Sequence, residues 1–93
     1  MMYMVMMEIR TTKPEARDKI MSAMKDIGHW SNRFETLWLV EPYQKMSATQ
    51  LRDRIKPHMS TLDSVFVAQI HENWAGRHMG LGFPEWMARR SFK

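Results

Sequence analysis

One apolar run near the start of the chain constrains the fold more than any other feature. The run from Tyr3 to Ile9 reads Tyr-Met-Val-Met-Met-Glu-Ile, and Glu8 is its only charged residue. It has the length of a strand, and its apolar character on both faces is typical of a central strand that is buried on both sides. The segment from Thr36 to Glu41 contains Leu-Trp-Leu-Val, which predicts a second central strand of the same kind.

A helix is predicted between these two runs. Apolar residues recur there at spacings of four, four and three, which places them on one helical face: Ala16, Ile20, Met24 and Ile27. Thr12 and Glu15 have the spacing of a capping box at the start of this helix, and Pro14 suits its first turn. Gly28 is expected to end it.

A second helix is predicted to begin after Ser47, which forms another capping box with Gln50. Pro57 cannot donate a backbone hydrogen bond, so this helix should end or bend near Lys56. The remaining segments are expected to be an edge strand over His29–Arg33, a strand over Ser64–Ile70, a loop over Trp74–Pro84 and a short helix over Pro84–Arg90.

The order of elements is therefore strand, helix, strand, strand, helix, strand and a tail. Split βαβ units in this order form a ferredoxin-like α+β sandwich, with an antiparallel four-stranded sheet and two helices on one face. The first and third strands are then the central ones, in agreement with the two apolar runs. We expect residues 1–76 to form this domain and residues 77–93 to form a loop and short helical tail that packs on a partner subunit.

Composition narrows the class of protein. The chain has 93 residues, no cysteine and a net charge of +4, so it allows one small domain without disulfides or thiolate chemistry. No run of about 18 apolar residues exists to span a membrane, and we expect a cytoplasmic protein. Eleven methionines are typical of a soft core in so small a domain, and the alternative is a methionine-rich interface. So short a chain buries only part of its apolar surface, so we expect it to pair with a second copy.

Two groups of residues are candidates for function. Glu8, at the end of a central strand, is expected to be desolvated, and two such carboxylates across a two-fold axis could hold Mg²⁺ or Mn²⁺. The alternative is an ordinary strand-end glutamate that is solvated or paired with Arg10. Basic residues that could contact the phosphates of a nucleic acid lie on the second helix and in the tail: Arg52, Arg54, Lys56, Arg89 and Arg90.

Several short motifs in this order carry a family resemblance. They are Tyr-Met-Val-Met-Met-Glu at 3–8, Gly-His-Trp at 28–30, Glu-Thr-Leu-Trp-Leu-Val at 35–40, Leu-Arg-Asp-Arg-Ile-Lys-Pro-His at 51–58, Asp-Ser-Val-Phe-Val at 63–67 and Trp-Ala-Gly at 74–76. With them the chain resembles the SinR-like relatives of the small ferredoxin-like CRISPR-associated endoribonuclease family. The virulence-associated D-type ribonuclease toxins are similar in architecture.

The resemblance implies a homodimer whose sheets meet, with the C-terminal segment often completing the partner's sheet. In the nuclease members an aspartate at the end of the first strand binds a divalent metal, and Glu8 stands at that position. Thr36 matches a serine of the third strand. We therefore expect a homodimer that associates with RNA or DNA, as a weak or inactive metal-dependent nuclease. The alternative is a non-catalytic adaptor or inhibitor of a larger protein complex.

Overall fold

The computed structural model describes residues 1–93 and contains four strands and three helices. Their bounds are β1 Met2–Glu8, α1 Pro14–Ile27, β2 Gly28–Phe34, β3 Leu37–Pro42, α2 Ala48–Ile55, β4 Ser64–Ile70 and α3 Phe83–Ala88. All strands pair antiparallel in one sheet with the order β2-β3-β1-β4. The predicted ferredoxin-like fold is confirmed, and the two apolar runs occupy the central positions.

Alternation along β1 assigns its side chains to two faces of the sheet. Tyr3, Val5 and Met7 point toward α1 and α2, and they share one buried cluster with residues of both helices. We call this side the helix face. Met2, Met4 and Met6 point to the opposite side, which we call the open face.

The core on the helix face contains three of the four residues of the predicted α1 stripe. It combines the odd-numbered residues of β1, two residues of β3, three of α1 and two of α2: Tyr3, Val5, Met7, Trp38, Val40, Ile20, Met24, Ile27, Leu51 and Ile55, together with Met46. The hydroxyl of Tyr3 donates to the carbonyl of Met46 at 2.5 Å, and burial raises the pKa of this phenol above its ordinary value. This hydrogen bond connects β1 to the loop before α2.

The start of α1 differs from the prediction. Lys13 is the N-cap residue and makes no side-chain capping bond, so the capping box of Thr12 and Glu15 does not form. The physical reason is Pro14, because the residue before a proline is driven toward extended backbone. Lys13 has φ −80° and ψ 117°, and the helix begins one residue later than Thr12 would require.

Gly28 ends α1, but not through the left-handed backbone that glycine usually supplies at this position. Its φ is 179°, so the chain passes directly from α1 into the extended β2. The need for glycine comes from a close approach, since a Cβ at this position would lie 2.0 Å from the carbonyl oxygen of Glu41. The tight pairing of β2 with β3 therefore excludes any side chain here.

The start and end of α2 follow the prediction. The Ser47 hydroxyl accepts from the backbone N–H of Gln50, and the Gln50 side chain accepts from the backbone N–H of Ser47. The helix changes to a single 3-10 turn over Lys56–His58, where Pro57 interrupts it. This bend brings the chain to β4 beside the end of β1.

The C-terminal arm, residues 77–93, lies on the open face. Phe83 and Met87 of α3 are buried with Met2, and Trp86 and Phe92 pack around this second cluster. The aromatic side chains of the arm thus find apolar partners on the sheet of their own chain. That the arm also packs on a partner subunit stays a prediction.

None of the helices combines the length and the apolar character that crossing a membrane requires.

Candidate functional site

The half of the open face that the arm leaves uncovered carries a continuous row of apolar side chains. Strand register places Phe34 opposite Leu37, Leu37 opposite Met6, and Met6 opposite Phe66, so the row crosses all four strands. Phe34 is 51% exposed, Met6 47% and Phe66 61%, while Leu37 is half-buried. We call these four residues the apolar row. Their alignment makes one exposed hydrophobic strip rather than scattered surface residues.

This row corrects the expectation that β1 is buried on both faces. α3 covers Met2 completely, Met4 is half-buried, and Met6 is exposed. The reason is the length of α3, since a helix of six residues spans only about 9 Å and cannot cover a strand of seven residues. The uncovered end of β1 is the end that carries Glu8.

Glu8 is solvent-exposed and paired, in contrast to the expected desolvation. Its carboxylate accepts from Arg10, with 2.8 Å between Glu8 Oε1 and Arg10 Nη2, and both side chains are 62% exposed. Glu8 lies opposite Ser64 on β4, two residues after Met6 on the same face, so it lies beside the middle of the apolar row. The arrangement corresponds to the alternative in which Glu8 pairs with Arg10 in water.

Asp63 organises the backbone around this end of the sheet. Its Oδ1 accepts from the backbone N–H groups of Arg10 at 2.7 Å and Thr11 at 3.2 Å, and its Oδ2 accepts from that of Ser60 at 2.9 Å. Burial disfavours the charged form, but these donors outweigh burial and hold the pKa of Asp63 below its ordinary value. Asp63 therefore fixes the chain after β1 to the loop before β4.

The three basic residues predicted on the second helix lie on two sides of it, with Arg52 and Arg54 in α2 and Lys56 at the start of the 3-10 turn that follows. Arg52 and Lys56 line a groove of about 470 Å³ between α2 and the loop that leads to β4. Arg54 instead lines a hollow toward α1, together with Asp26. Arg52 is paired with Asp53 at 2.9 Å. The structure thus brings Arg52 and Lys56 together and leaves Arg54 apart from them.

The two arginines of the arm have different surroundings. Arg89 is exposed, whereas the Arg90 side chain is only 8% exposed and lies 3.4 Å from the carboxylate of Glu41. The Arg90 guanidinium stacks 4.8 Å from the Trp86 ring, and its Nε donates to the Trp86 carbonyl. The backbone N–H of Ser91 also donates to Glu41, at 2.7 Å. Arg90 therefore holds the arm to β3 and offers little surface to a phosphate.

Thr36 lies in the turn between β2 and β3, immediately before β3 begins at Leu37. Its carbonyl accepts from the backbone N–H of Met7 at 2.8 Å, so this turn is fixed beside the end of β1. Thr36 and Glu8 consequently lie at the same end of the sheet. No group of three or more metal-ligating side chains is found together there or elsewhere in the structure.

Sequence reasoning missed the apolar row and the Glu41–Arg90 pair. The sequence does indicate part of the row, because Met4 and Met6 alternate with core residues and Phe66 alternates with Val65 and Val67. It does not indicate the position of Phe34, since a β-bulge between Ser31 and Phe34 sets the register there. Comparisons of the chain with protein-family models, with curated proteins and with solved structures find no match.

Proposed function

We propose that this protein is a homodimeric interaction module, which acts through binding and joins its two copies through the apolar row. The observation that carries the proposal is the alignment of four apolar side chains in one exposed strip, beside a half of the same face that is already covered. A strip with aromatic side chains at both ends and aliphatic ones between them suits contact with its own copy, because a two-fold axis requires a self-complementary surface.

The position of α3 supports one of two ways in which the open faces could meet. Packed sheets lie about 10 Å apart, which is also about the diameter of a helix, so α3 occupies the level of a partner sheet. A two-fold axis parallel to the strands would place the partner's sheet on α3. An axis along the apolar row avoids this overlap, because each α3 then lies beyond the Glu8 end of the partner's sheet.

The resemblance supports the same proposal, because it implies a homodimer whose sheets meet. In the arrangement with the axis along the row, every residue of the row faces its own copy. The Glu8 end of one subunit then lies next to the arm of the other, where a partner's side chain can reach it. We further propose that the dimer works in the cytoplasm, in contact with a larger protein complex.

Disulfide trapping tests the dimer and its axis together, since the chain contains no cysteine. With the axis along the row, Phe34→Cys and Phe66→Cys should each form a cross-linked dimer with its own copy. With the axis along the strands, neither should cross-link alone, but an equimolar mixture of the two should, because Phe34 then faces Phe66. Ser22→Cys, an exposed position on α1, is the matched control.

Light scattering of the unmodified protein gives the independent measurement. We expect the mass of a dimer at micromolar concentration. A monomer mass at every concentration, together with the absence of any cross-link above the Ser22→Cys control, would overturn the proposal.

Nucleic-acid association is the second candidate, and the groove lined by Arg52 and Lys56 favours it. Two cations one helical turn apart beside the Glu8 end could contact successive phosphates. Together with the resemblance, this supports a protein that binds RNA or DNA and uses Glu8 with Mg²⁺ or Mn²⁺ for weak cleavage, if it cleaves at all.

A binding assay at low salt with single-stranded RNA and duplex DNA tests this candidate. The double variant Arg52→Gln/Lys56→Gln should weaken binding about tenfold or more, because phosphate contacts dominate such affinity. Arg54→Gln, on the other side of the helix, is the matched control. If cleavage in Mg²⁺ or Mn²⁺ persists in Glu8→Ala, Glu8 has no catalytic role, and if the unmodified protein does not bind at low salt, the candidate fails.

A further inference from the structure

The methionines of this chain differ sharply in their accessibility. The sequence contains eleven of them, and ten are buried or half-buried: Met1, Met2, Met4, Met7, Met21, Met24, Met46, Met59, Met79 and Met87. Met6 alone falls among the exposed residues, at 47%. The most exposed methionine of the protein therefore stands in the apolar row, on a central strand, between Leu37 and Phe66.

Oxidation of a thioether is governed by exposure, and its effect depends on the surroundings. In the reaction with a peroxide, a sulfur lone pair attacks one peroxide oxygen and the O–O bond breaks. With hydrogen peroxide the products are one methionine sulfoxide and one water, so sulfur is oxidised and the peroxide is reduced. A flexible apolar side chain becomes polar, and methionine sulfoxide reductases can reverse the change.

We propose that Met6 is a redox-sensitive modification site, at which reversible sulfoxide formation weakens the association of two copies through the apolar row. The inference rests on the proposed function, because the row must be the dimer contact for its modification to matter there. Each dimer contains two copies of Met6 at the centre of the contact. A sulfoxide oxygen at that position would have to leave water for an apolar strip, in which no side chain of the row can donate a hydrogen bond to it.

Because of the fold, oxidation of Met6 should affect the association of two subunits and not the folding of each one. Met6 points away from the helix face, so its oxidation leaves the core around Val5 and Met7 intact. The sulfoxide should therefore change the monomer–dimer equilibrium with little effect on the folding of the subunit. Conversely, the dimer should protect Met6, so the rate of its oxidation should fall as the protein concentration rises through the dissociation constant.

The experiment treats the full chain with limiting hydrogen peroxide, at a protein concentration below the dissociation constant of the dimer so that Met6 is accessible, and locates the oxygen by peptide mass mapping. We expect the first oxygen at Met6, at a rate at least several times that of half-buried Met21 and Met59. Sedimentation or light scattering of the singly oxidised protein should show a dissociation constant raised about tenfold or more, a change that corresponds to about 1.4 kcal/mol. A methionine sulfoxide reductase with a thiol reductant should restore it.

Two variants separate the site from general damage. Met6→Leu keeps the row apolar and lacks the thioether, so its dimer should persist through the same peroxide treatment. Met6→Gln introduces a polar group of similar length, so it should dissociate without peroxide while its circular dichroism stays unchanged.

The failures of the two proposals are distinguishable. If the untreated protein is a dimer and Met6 sulfoxide leaves its dissociation constant unchanged, the proposed role of Met6 oxidation is wrong and the proposed dimer is supported. That role is also wrong if Met21 or Met59 is oxidised first. A monomer at all concentrations before treatment overturns both the proposed dimer and the proposed role of Met6 oxidation.

Discussion

The helix face and the open face of this sheet carry similarly apolar side chains, but they differ in what covers them. On the helix face two amphipathic helices bury Tyr3, Val5 and Met7 completely. On the open face a helix of six residues buries Met2 and leaves Met6 exposed. The same strand thus contributes Tyr3, Val5 and Met7 to a buried core and Met6 to a surface that no other part of the subunit covers. The difference locates the region where a second molecule would bury further apolar area.

Adjacent methionines on β1 provide the strongest test of this comparison. Met7 is 2% exposed on the helix face, and Met6 is 47% exposed on the open face. Met7→Ala should lower the free energy of unfolding by about 2–5 kcal/mol, because it leaves a cavity in the core. Met6→Ala should change it by no more than about 0.5 kcal/mol in dilute solution, where the row faces water.

Urea unfolding of both variants measures these changes. The proposed dimer would make the stability of the unmodified protein rise with its concentration, and Met6→Ala should reduce that rise because it removes part of the proposed contact. Equal destabilisation by the two substitutions in dilute solution would mean that the two faces do not differ as described.

The attachment of the arm is the next test, because it sets how much of the open face is covered. Glu41→Ala should destabilise the arm by about 1–3 kcal/mol, since it leaves the buried Arg90 guanidinium without its carboxylate. Hydrogen exchange should accelerate over residues 83–90 and stay slow in β1. Arg89→Ala, which removes the exposed neighbouring arginine, is the control and should leave exchange unchanged.

If Glu41→Ala accelerates exchange throughout the sheet to the same degree, the arm is part of the central core rather than a separate cover. The half of the open face that contains Met2 would then not differ from the helix face.

Much of the fold could be predicted because it depends on local pattern. Ser47 and Gln50 cap α2 as their spacing indicates, and the stripe from Ile20 to Ile27 faces the sheet. The exposure of the open face was harder to predict, since odd and even residues of β1 are both apolar and alternation alone does not say which set the helices cover. Residues that are distant in sequence, such as Glu41 and Arg90, form contacts that depend on tertiary packing and leave no local signal.

Replacing Asp63 should have a smaller effect on the free energy of unfolding, and that effect should depend on pH. Its pKa is lowered in the folded protein from a value of 3.8, so its contribution to stability is present above about pH 4 and is lost as the pH falls through the folded pKa. Asp63→Asn should cost about 1 kcal/mol at pH 7, since one charged acceptor of several backbone N–H groups is lost. Thermal unfolding from pH 2 to pH 7 should show that the variant and the parent converge in acid. A constant difference between them at all pH values would contradict this role.

The smallest effect is expected at Glu8, where the two interpretations of the sequence differ most. As an exposed partner of Arg10, Glu8 should contribute at most about 0.5 kcal/mol, and the contribution should fall with added salt. Glu8→Gln should therefore leave thermal stability nearly unchanged, and calorimetric titration with Mn²⁺ should give the same result for variant and parent. Heat of binding in the parent that disappears in Glu8→Gln would instead show that two subunits form a metal site that a single chain does not contain. Because the proposed dimer would bring the Glu8 end of one copy next to the arm of the other, the titration should be made at a protein concentration at which that dimer is expected to form.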